Sequence, residues 1–486
     1  MTLSWSSPDA LLTTWLLVPY LAAFLAVLLP SLSHGLVLLC CSATALVGAE
    51  ALLTESARPL QLIGEFGVQL SLEPLAGWFV LLNGLVCLAV WNEARRQGWD
   101  RTGWMLLLVL LGSLNTSFLT TDLISLYVSL EVVGIAAFLL ILQGKSANAG
   151  WIALRYLLVG NTAMGLYLMG AGLVYAQSGS FAFDALAKLL PGAPLVLVLV
   201  GLLTKAGVFL NGLWLPRTHA EAPAEVSALL SGVVVGGGAL PLLRLEQLNS
   251  AIAELLMPIG LASAALGLIY ALGVGDAKRL LAWSTLGQMG LVLLSPAAGG
   301  LLAFSHGLAK SSLFLTARQW PTRSLQSWRQ QPLPWPLLLT LGAGAFSIAG
   351  LAPLLGYAAK KQLEGAVSPT LAAAITVLSV GSVAVYCRLC RAPLLSQGSS
   401  TSGLWGSWML LLPLLVGGAL QLRSLNSGWL VSLLLLGLGL ALDQLLEPLR
   451  QPAARALPSL DRLPDLVGGL GLVGAGLLLS IGRELS

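Results

Sequence analysis

Continuous apolar runs of about 18 to 25 residues, parted by short polar turns, recur along this chain from residue 11 to residue 483. A helix rising about 1.5 Å per residue needs roughly 20 such residues to cross a bilayer core of about 30 Å. A membrane β-strand would alternate apolar and polar positions over about ten residues instead. The runs here do not alternate, so the pattern predicts an all-α polytopic membrane protein. They place spans at about 11–30, 34–54, 74–92, 103–119, 122–143, 151–177, 194–216, 223–244, 252–274, 278–296, 299–317, 334–362, 369–390, 407–422, 428–446 and 466–483, sixteen in all. The longest connection, 444–465, carries prolines and charges of both signs and reads as a loop before the last span.

Composition agrees with this pattern. Charged residues make up 9% of the 486 residues and apolar ones 57%, against roughly 25% charged in an average soluble domain. With the first ten residues outside, alternate connections hold sixteen of the 25 basic residues and the opposite ones six, the remaining three being Lys205, Lys310 and Lys360. Lys145, Arg217, Lys278, Arg279, Arg323, Arg455 and Arg462 lie on the rich side; Arg58, Arg244 and Arg423 on the poor one. That bias marks the rich side as cytoplasmic and puts both termini on the periplasmic or lumenal side of a bacterial inner or thylakoid membrane. The net charge of +4 gives no footprint for nucleic acid. The amino terminus has no basic n-region or cleavage site, so the first apolar run is expected to stay as a helix. Cys387 and Cys390 form a lone C-x-x-C without a second pair, which reads as packing rather than a metal site. No Walker-type loop, haem attachment motif or iron–sulfur spacing is present. No cofactor is expected, and any redox chemistry belongs to another chain.

Ionisable residues inside spans cost at least a few kcal/mol each, which makes them candidate functional groups. Glu131 lies mid-span in "LISLYVSLEVVGIAAFLL" and Lys205 mid-span in "VLVGLLTKAGVFLNGLWLP". Lys310 follows His306 by four residues, on the same helical face. Lys360 comes after Pro353 in "SIAGLAPLLGYAAKK", where the pattern alone also allows a lysine snorkelling at a helix end. Glu131 and Lys205 could equally form a static ion pair that locks packing. As chemistry, amines and carboxylates in low dielectric exchange protons readily, and a row of them is a proton relay. Pro216 and Pro353, each near a lysine, predict helix breaks in spans 7 and 12, and breaks five spans apart predict two five-span units.

"LISLYVSLE", "RYLLVGNTAMGLYLMGAGLVYAQSGS", "TKAGVFLNGLWLPRTHAEAPAEVSALL", "GDAKRLLAWSTLGQMGLVLL", "SHGLAKSSLFL" and "SIAGLAPLLGYAAK" follow one another in this order. Together they resemble the proton-translocating antiporter-like subunits of respiratory complex I, its photosynthetic relative and Mrp-type sodium/proton antiporters. The resemblance implies a core of fourteen helices with two inverted five-helix repeats, broken helices in spans 7 and 12, and a charged axis at mid-membrane. It divides the chain into 1–102, the repeats 103–246 and 252–392, and carboxy-terminal helices in 405–486. It makes Glu131, Lys205, Lys310 and Lys360 the relay positions, with His306 beside Lys310. It implies partners in other membrane subunits and the lipid bilayer, with protons and a cation such as sodium as cargo.

Two departures qualify this. Gly236 or Gly237 stands where the family's eighth span carries a connecting lysine, and Asn211 or its neighbour replaces a proline of the seventh. Either water bridges the gap between Lys205 and Lys310, or conduction along the full axis is lost. Spans 15 and 16 lie beyond the fourteen-helix core. The expected function is a proton-conducting subunit of an Mrp-like cation/proton antiporter. The alternatives are the same part of a complex-I-like NAD(P)H- or ferredoxin–quinone oxidoreductase, and a degenerate structural scaffold.

Overall fold

The computed structural model describes residues 8–54, 56–62, 68–144, 147–395, 403–422, 428–450 and 456–484. Lys145, Arg423 and Arg455 of the charge count lie outside the described residues. Helices α1 (Pro8–Leu28), α2 (Ser33–Thr54), α3 (Pro74–Arg96), α4 (Arg101–Leu119), α5 (Leu123–Leu142) and α6 (Ala149–Ser178) coincide with the first six spans. After the short α7 (Phe183–Lys188), the seventh span divides into α8 (Ala193–Ala206) and α9 (Leu215–Glu221). The eighth comprises α10 (Ala224–Leu229) and α11 (Gly236–Leu248), joined by a π-turn at Leu230–Val234. Next come α12 (Ser250–Gly273), α13 (Ala277–Val292), α14 (Pro296–Thr316) and the short α15 (Leu325–Trp328). The twelfth span divides into α16 (Trp335–Ala349) and α17 (Leu355–Ala366), followed by α18 (Pro369–Tyr386), α19 (Trp405–Leu422), α20 (Gly428–Leu446) and α21 (Leu463–Glu484).

Among the described helices, eleven are long and apolar enough to cross a membrane, or twelve if the bent α8–α9 pair is one span. Helices α13 and α16 fall short in length, with 16 and 15 residues, whereas the 21-residue α14 falls short for a physical reason. Every residue of α14 from Ala298 to Thr316 is buried in protein, so none of its faces has to satisfy lipid and it can carry Ser305, His306, Lys310, Ser311 and Ser312. Aspartates in the short connections start several helices. Asp100, Asp122 and Asp276 accept from the amides of Gly103, Ser125 and Arg279 at 2.7–2.9 Å, taking up first-turn donors that have no partner within the helix.

One element departs from the all-helical expectation. Arg58–Gln61 (β1) and Gln69–Leu72 (β2) pair antiparallel between α2 and α3. Four residues are too few for an alternating pattern to stand out. The hairpin is tied down from α11, where buried Arg244 donates to the Ser71 carbonyl of β2 at 3.3 Å, to Glu73 Oε1 next to it at 2.6 Å and to the Thr120 carbonyl at 2.7 Å.

The carboxy-terminal helices dock on the two helix breaks. In α20, Ser432 Oγ accepts from the Ala352 amide, inside the α16–α17 break, at 2.8 Å. In α21, Gly469 lies against the Leu210 carbonyl in the α8–α9 break, so close that a β-carbon there would sit 2.9 Å from the oxygen. Between them, Tyr270 donates to the Pro458 carbonyl at 3.0 Å and Arg217 faces Asp461 at 3.8 Å. Ser432→Ala would strip a part-buried amide inside the break of its acceptor, at about 1 kcal/mol. Its thermal unfolding midpoint in detergent is expected to fall, and an unchanged midpoint would mean that the amide finds another acceptor.

Candidate functional site: a chain of buried lysines

Lys205 ends α8, where the negative end of the helix dipole favours a cation. The helix stops because Gly207 adopts φ +69°, a left-handed turn open to glycine, and the chain then bends by 45°. Asn211 donates to the Val200 carbonyl at 3.1 Å and to Thr204 Oγ1 at 3.2 Å, while Trp214 Nε1 donates to the Thr204 carbonyl at 2.9 Å. Asn211 thus hydrogen-bonds next to the opened backbone. Pro216 does not make this break. It lies after it, in the first turn of α9, where proline fits because the amide it lacks needs no partner.

The Lys205 ammonium stands 3.5 Å from Glu131 Oε1 and donates to the Leu130 carbonyl at 3.3 Å. Glu131 keeps 21% of its side chain exposed, against 9% for Lys205. Gly134 makes room for the pair, since a β-carbon there would lie 3.1 Å from Nζ.

The second break repeats the device. Gly350 adopts φ +82° after α16, and Pro353, whose peptide bond to Ala352 is cis, lies inside the gap. Lys360 does not snorkel: it is buried, and its ammonium donates to the Ala349 carbonyl at the end of α16 (3.0 Å) and to Ser379 Oγ (3.1 Å). A half-helix C-terminus leaves carbonyls unpaired, and the Lys360 ammonium takes up one of them at the end of α16, whereas Lys205 lies in the last turn of α8 itself and donates across to α5. The neighbouring Lys361 pairs with Glu364 instead.

Between the breaks, Lys310 is fully buried and rests on neutral groups. It donates to the Leu281 carbonyl at 2.5 Å and to Ser284 Oγ, and lies 5.4 Å from the centre of the Tyr386 ring. Ser284 is also hydrogen-bonded to the Tyr386 hydroxyl. His306, one turn away on α14, is 3% exposed and neither ring nitrogen has a hydrogen-bond partner.

Glu131 is not the only deep acid. Glu225 is fully buried with Arg318 Nη2 at 2.8 Å from Oε2, Glu93 accepts from the Gly406 amide at 2.7 Å, and Glu246 is buried with neither oxygen hydrogen-bonded. His219 on α9 is also fully buried, with both ring nitrogens unpartnered and its ring 5.9 Å from Trp214 and 5.6 Å from Phe314. These groups lie near span ends, where hydropathy reads as loop. For His219 the misleading signal was "LPRTHAE", since Pro216 and Arg217 look like the end of a span that continues to Glu221.

The glycine run of α11 packs closely on its neighbours. A β-carbon on Gly236 would meet the Phe79 ring at 3.0 Å and the Phe118 ring at 3.5 Å, and one on Gly237 would meet Leu130 at 2.9 Å. Phe79, Phe118 and Leu130 thus stand against the positions from which a side chain at Gly236 or Gly237 would leave the backbone.

The profile described as "NADH:quinone oxidoreductase/Mrp antiporter, TM" matches residues 120–384, more than half of the chain and both broken spans. NADH-quinone oxidoreductase subunit N of Desulforudis audaxviator is 32% identical over 333 residues, 61% of this chain and 66% of that relative. Hydrogenase-4 component B of Escherichia coli is 28% identical over 501 aligned positions, 87% of this chain and 74% of that relative. A chain in the Mrp complex from Dietzia superposes with a TM-score of 0.77 at 21% identity, over 98% of this chain and 60% of its own length, which establishes a shared fold.

Proposed function

The chain belongs to the NADH:quinone oxidoreductase/Mrp antiporter transmembrane family, and from that membership we propose that it is the proton-conducting membrane subunit of a multisubunit cation/proton antiporter of the Mrp type. Protons move along Glu131, Lys205, Lys310 with His306, and Lys360. The observation that carries this reading is that each break follows a left-handed glycine and has a buried lysine beside it, Lys205 in the last turn of α8 and Lys360 reaching from α17 to the end of α16. One break falls in each of the units 103–246 and 252–392, which we read as inverted repeats. An ammonium held by a carbonyl and a neighbouring side chain can lose and regain its proton without moving the backbone.

Lys310 separates the relay from a static lock. Its contacts are neutral, so no permanent ion pair holds its charge. The same axis would serve a complex-I-like quinone oxidoreductase, a reading supported by the names of the relatives. The two assemblies differ in partners. Affinity purification of the tagged chain from its native membrane, followed by mass spectrometry, is expected to bring down further antiporter subunits. Recovery of quinone-reductase subunits would replace the antiporter assignment and leave the relay untouched. In either assembly the arginine-rich side faces the cytoplasm, or its thylakoid equivalent, and both termini face away from it.

A further inference from the structure

A cluster of arginines meets where α12, α18 and α20 end on the arginine-rich side. Arg329, Arg388, Arg391, Arg450 and Glu447 line a cavity of about 280 Å³ beside the α12–α13 corner. Arg388 is 6% exposed and held in place by donating to the carbonyls of Ala271, Leu272 and Val274 at the end of α12. Arg391 and Arg450 share the fully buried Asp443 of α20, and Arg329 and Arg391 share Glu447. Four guanidinium groups against these two carboxylates leave an excess of two positive charges. Arg450 Nε is buried without a hydrogen-bond partner. Like charges in a partly enclosed place are poorly screened, so the cluster is completed by an anion.

The surface below the cavity indicates which anion. Helix α18 is packed between α12 and α20: Leu268 of α12 lies against Gly381, and Gly439 of α20 against Val383. The outer face of α18 between those contacts carries Val377, 70% exposed, and three turns further on the same face stands Arg388. Ile269, next to Leu268, and Leu438, next to Gly439, are also exposed. The arginines therefore crown an apolar lane that runs into the membrane.

We propose that this cavity binds the phosphodiester of an anionic phospholipid, whose acyl chains lie along α18 between α12 and α20. Guanidinium groups match phosphate oxygens in charge and geometry, and a basic pocket between span ends is placed at headgroup level. The cavity is smaller than the roughly 300–1,000 Å³ of sites for drug-sized ligands, so it takes the headgroup and leaves the chains outside. Inorganic phosphate could meet the same guanidinium groups but makes no use of the apolar lane. The lipid joins Arg388 and Arg391, after α18, to Arg450, after α20. Because Ser432 of α20 accepts from the Ala352 amide, the site fastens a helix beyond the core over the second break.

The test uses the full chain purified in a non-ionic detergent with equal amounts of phosphatidylglycerol and phosphatidylcholine, bound lipid being read by native mass spectrometry. The wild type is expected to prefer phosphatidylglycerol by about tenfold or more, and excess inorganic phosphate is expected to leave that lipid bound. Arg329→Gln/Arg450→Gln removes the two excess charges, while glutamine amides can still donate to Glu447 and Asp443. It is expected to lose most of the preference. Equal retention of the two lipids by the wild type overturns the proposal, as does an undiminished preference in the folded double variant. Displacement of phosphatidylglycerol by inorganic phosphate also overturns it and assigns the cavity to a free anion. Should the double variant fail to fold, Arg329→Gln alone decides, since that side chain is 46% exposed and pairs with Glu447 at the rim. It is expected to lower the preference about threefold, and an unchanged preference overturns the site.

Discussion

Lys205→Ala is expected to reduce proton flux to that of vesicles without the protein while the complex still assembles. The relay has no substitute at this position, since Thr204 and Trp214 beside it are engaged with the backbone. An alanine leaves the Leu130 carbonyl and Glu131 without their cation. Glu131 Oε1 has no hydrogen-bond partner, so the change leaves that oxygen without its nearest cation. The break has its own supports in Gly207, Asn211 and Trp214. Glu131→Gln should give a partial loss, as the lysine remains. A Lys205→Ala complex that conducts normally would end the relay model and leave the scaffold reading as the one standing.

A large structural effect is expected at Gly238. A β-carbon there would sit 2.5 Å from the Leu202 carbonyl and 2.7 Å from the carbonyl carbon of Lys205, both backbone atoms at the end of α8. Backbone at a helix end cannot swing aside as a side chain does, so the half-helix carrying Lys205 would have to move. Gly238→Leu is expected to cost about 3 kcal/mol or more and to abolish recovery of assembled complex in size-exclusion chromatography. Gly172→Ala is the control, because nothing lies within 4 Å of a β-carbon at that position and no loss is expected. Full recovery of Gly238→Leu would mean that the α8–α11 contact is loose. Gly236→Lys follows the same logic in milder form: its stem must displace the Phe79 and Phe118 rings, so lower assembly is expected rather than restored conduction.

Much of the site was legible before any coordinates. A charge in an apolar run is conspicuous because the membrane makes it costly, and Glu131, Lys205 and Lys310 announce themselves in that way. Lys360 was ambiguous on pattern alone, and burial on the Ala349 carbonyl decided it. Lys278, His219 and Glu225 stayed hidden for the opposite reason. Each lies at a span end, where a polar residue costs nothing in sequence terms, and only packing shows that the end is enclosed by protein. The break in the seventh span sits at Gly207, not at Pro216. A proline is conspicuous in sequence, whereas a glycine's left-handed turn is visible only as a backbone angle.

The sequence by itself determined that this is a membrane protein of many helices with charges at mid-span. Apolar length and the cost of a buried ion are properties of the chain read residue by residue. The tertiary structure decided which of those charges meet. It set Glu131 against Lys205, put Lys310 on α13, set aromatic rings against the glycine run, and laid the last two helices over the two breaks. Those are relations between segments far apart in the chain, and distance in sequence carries no record of distance in space.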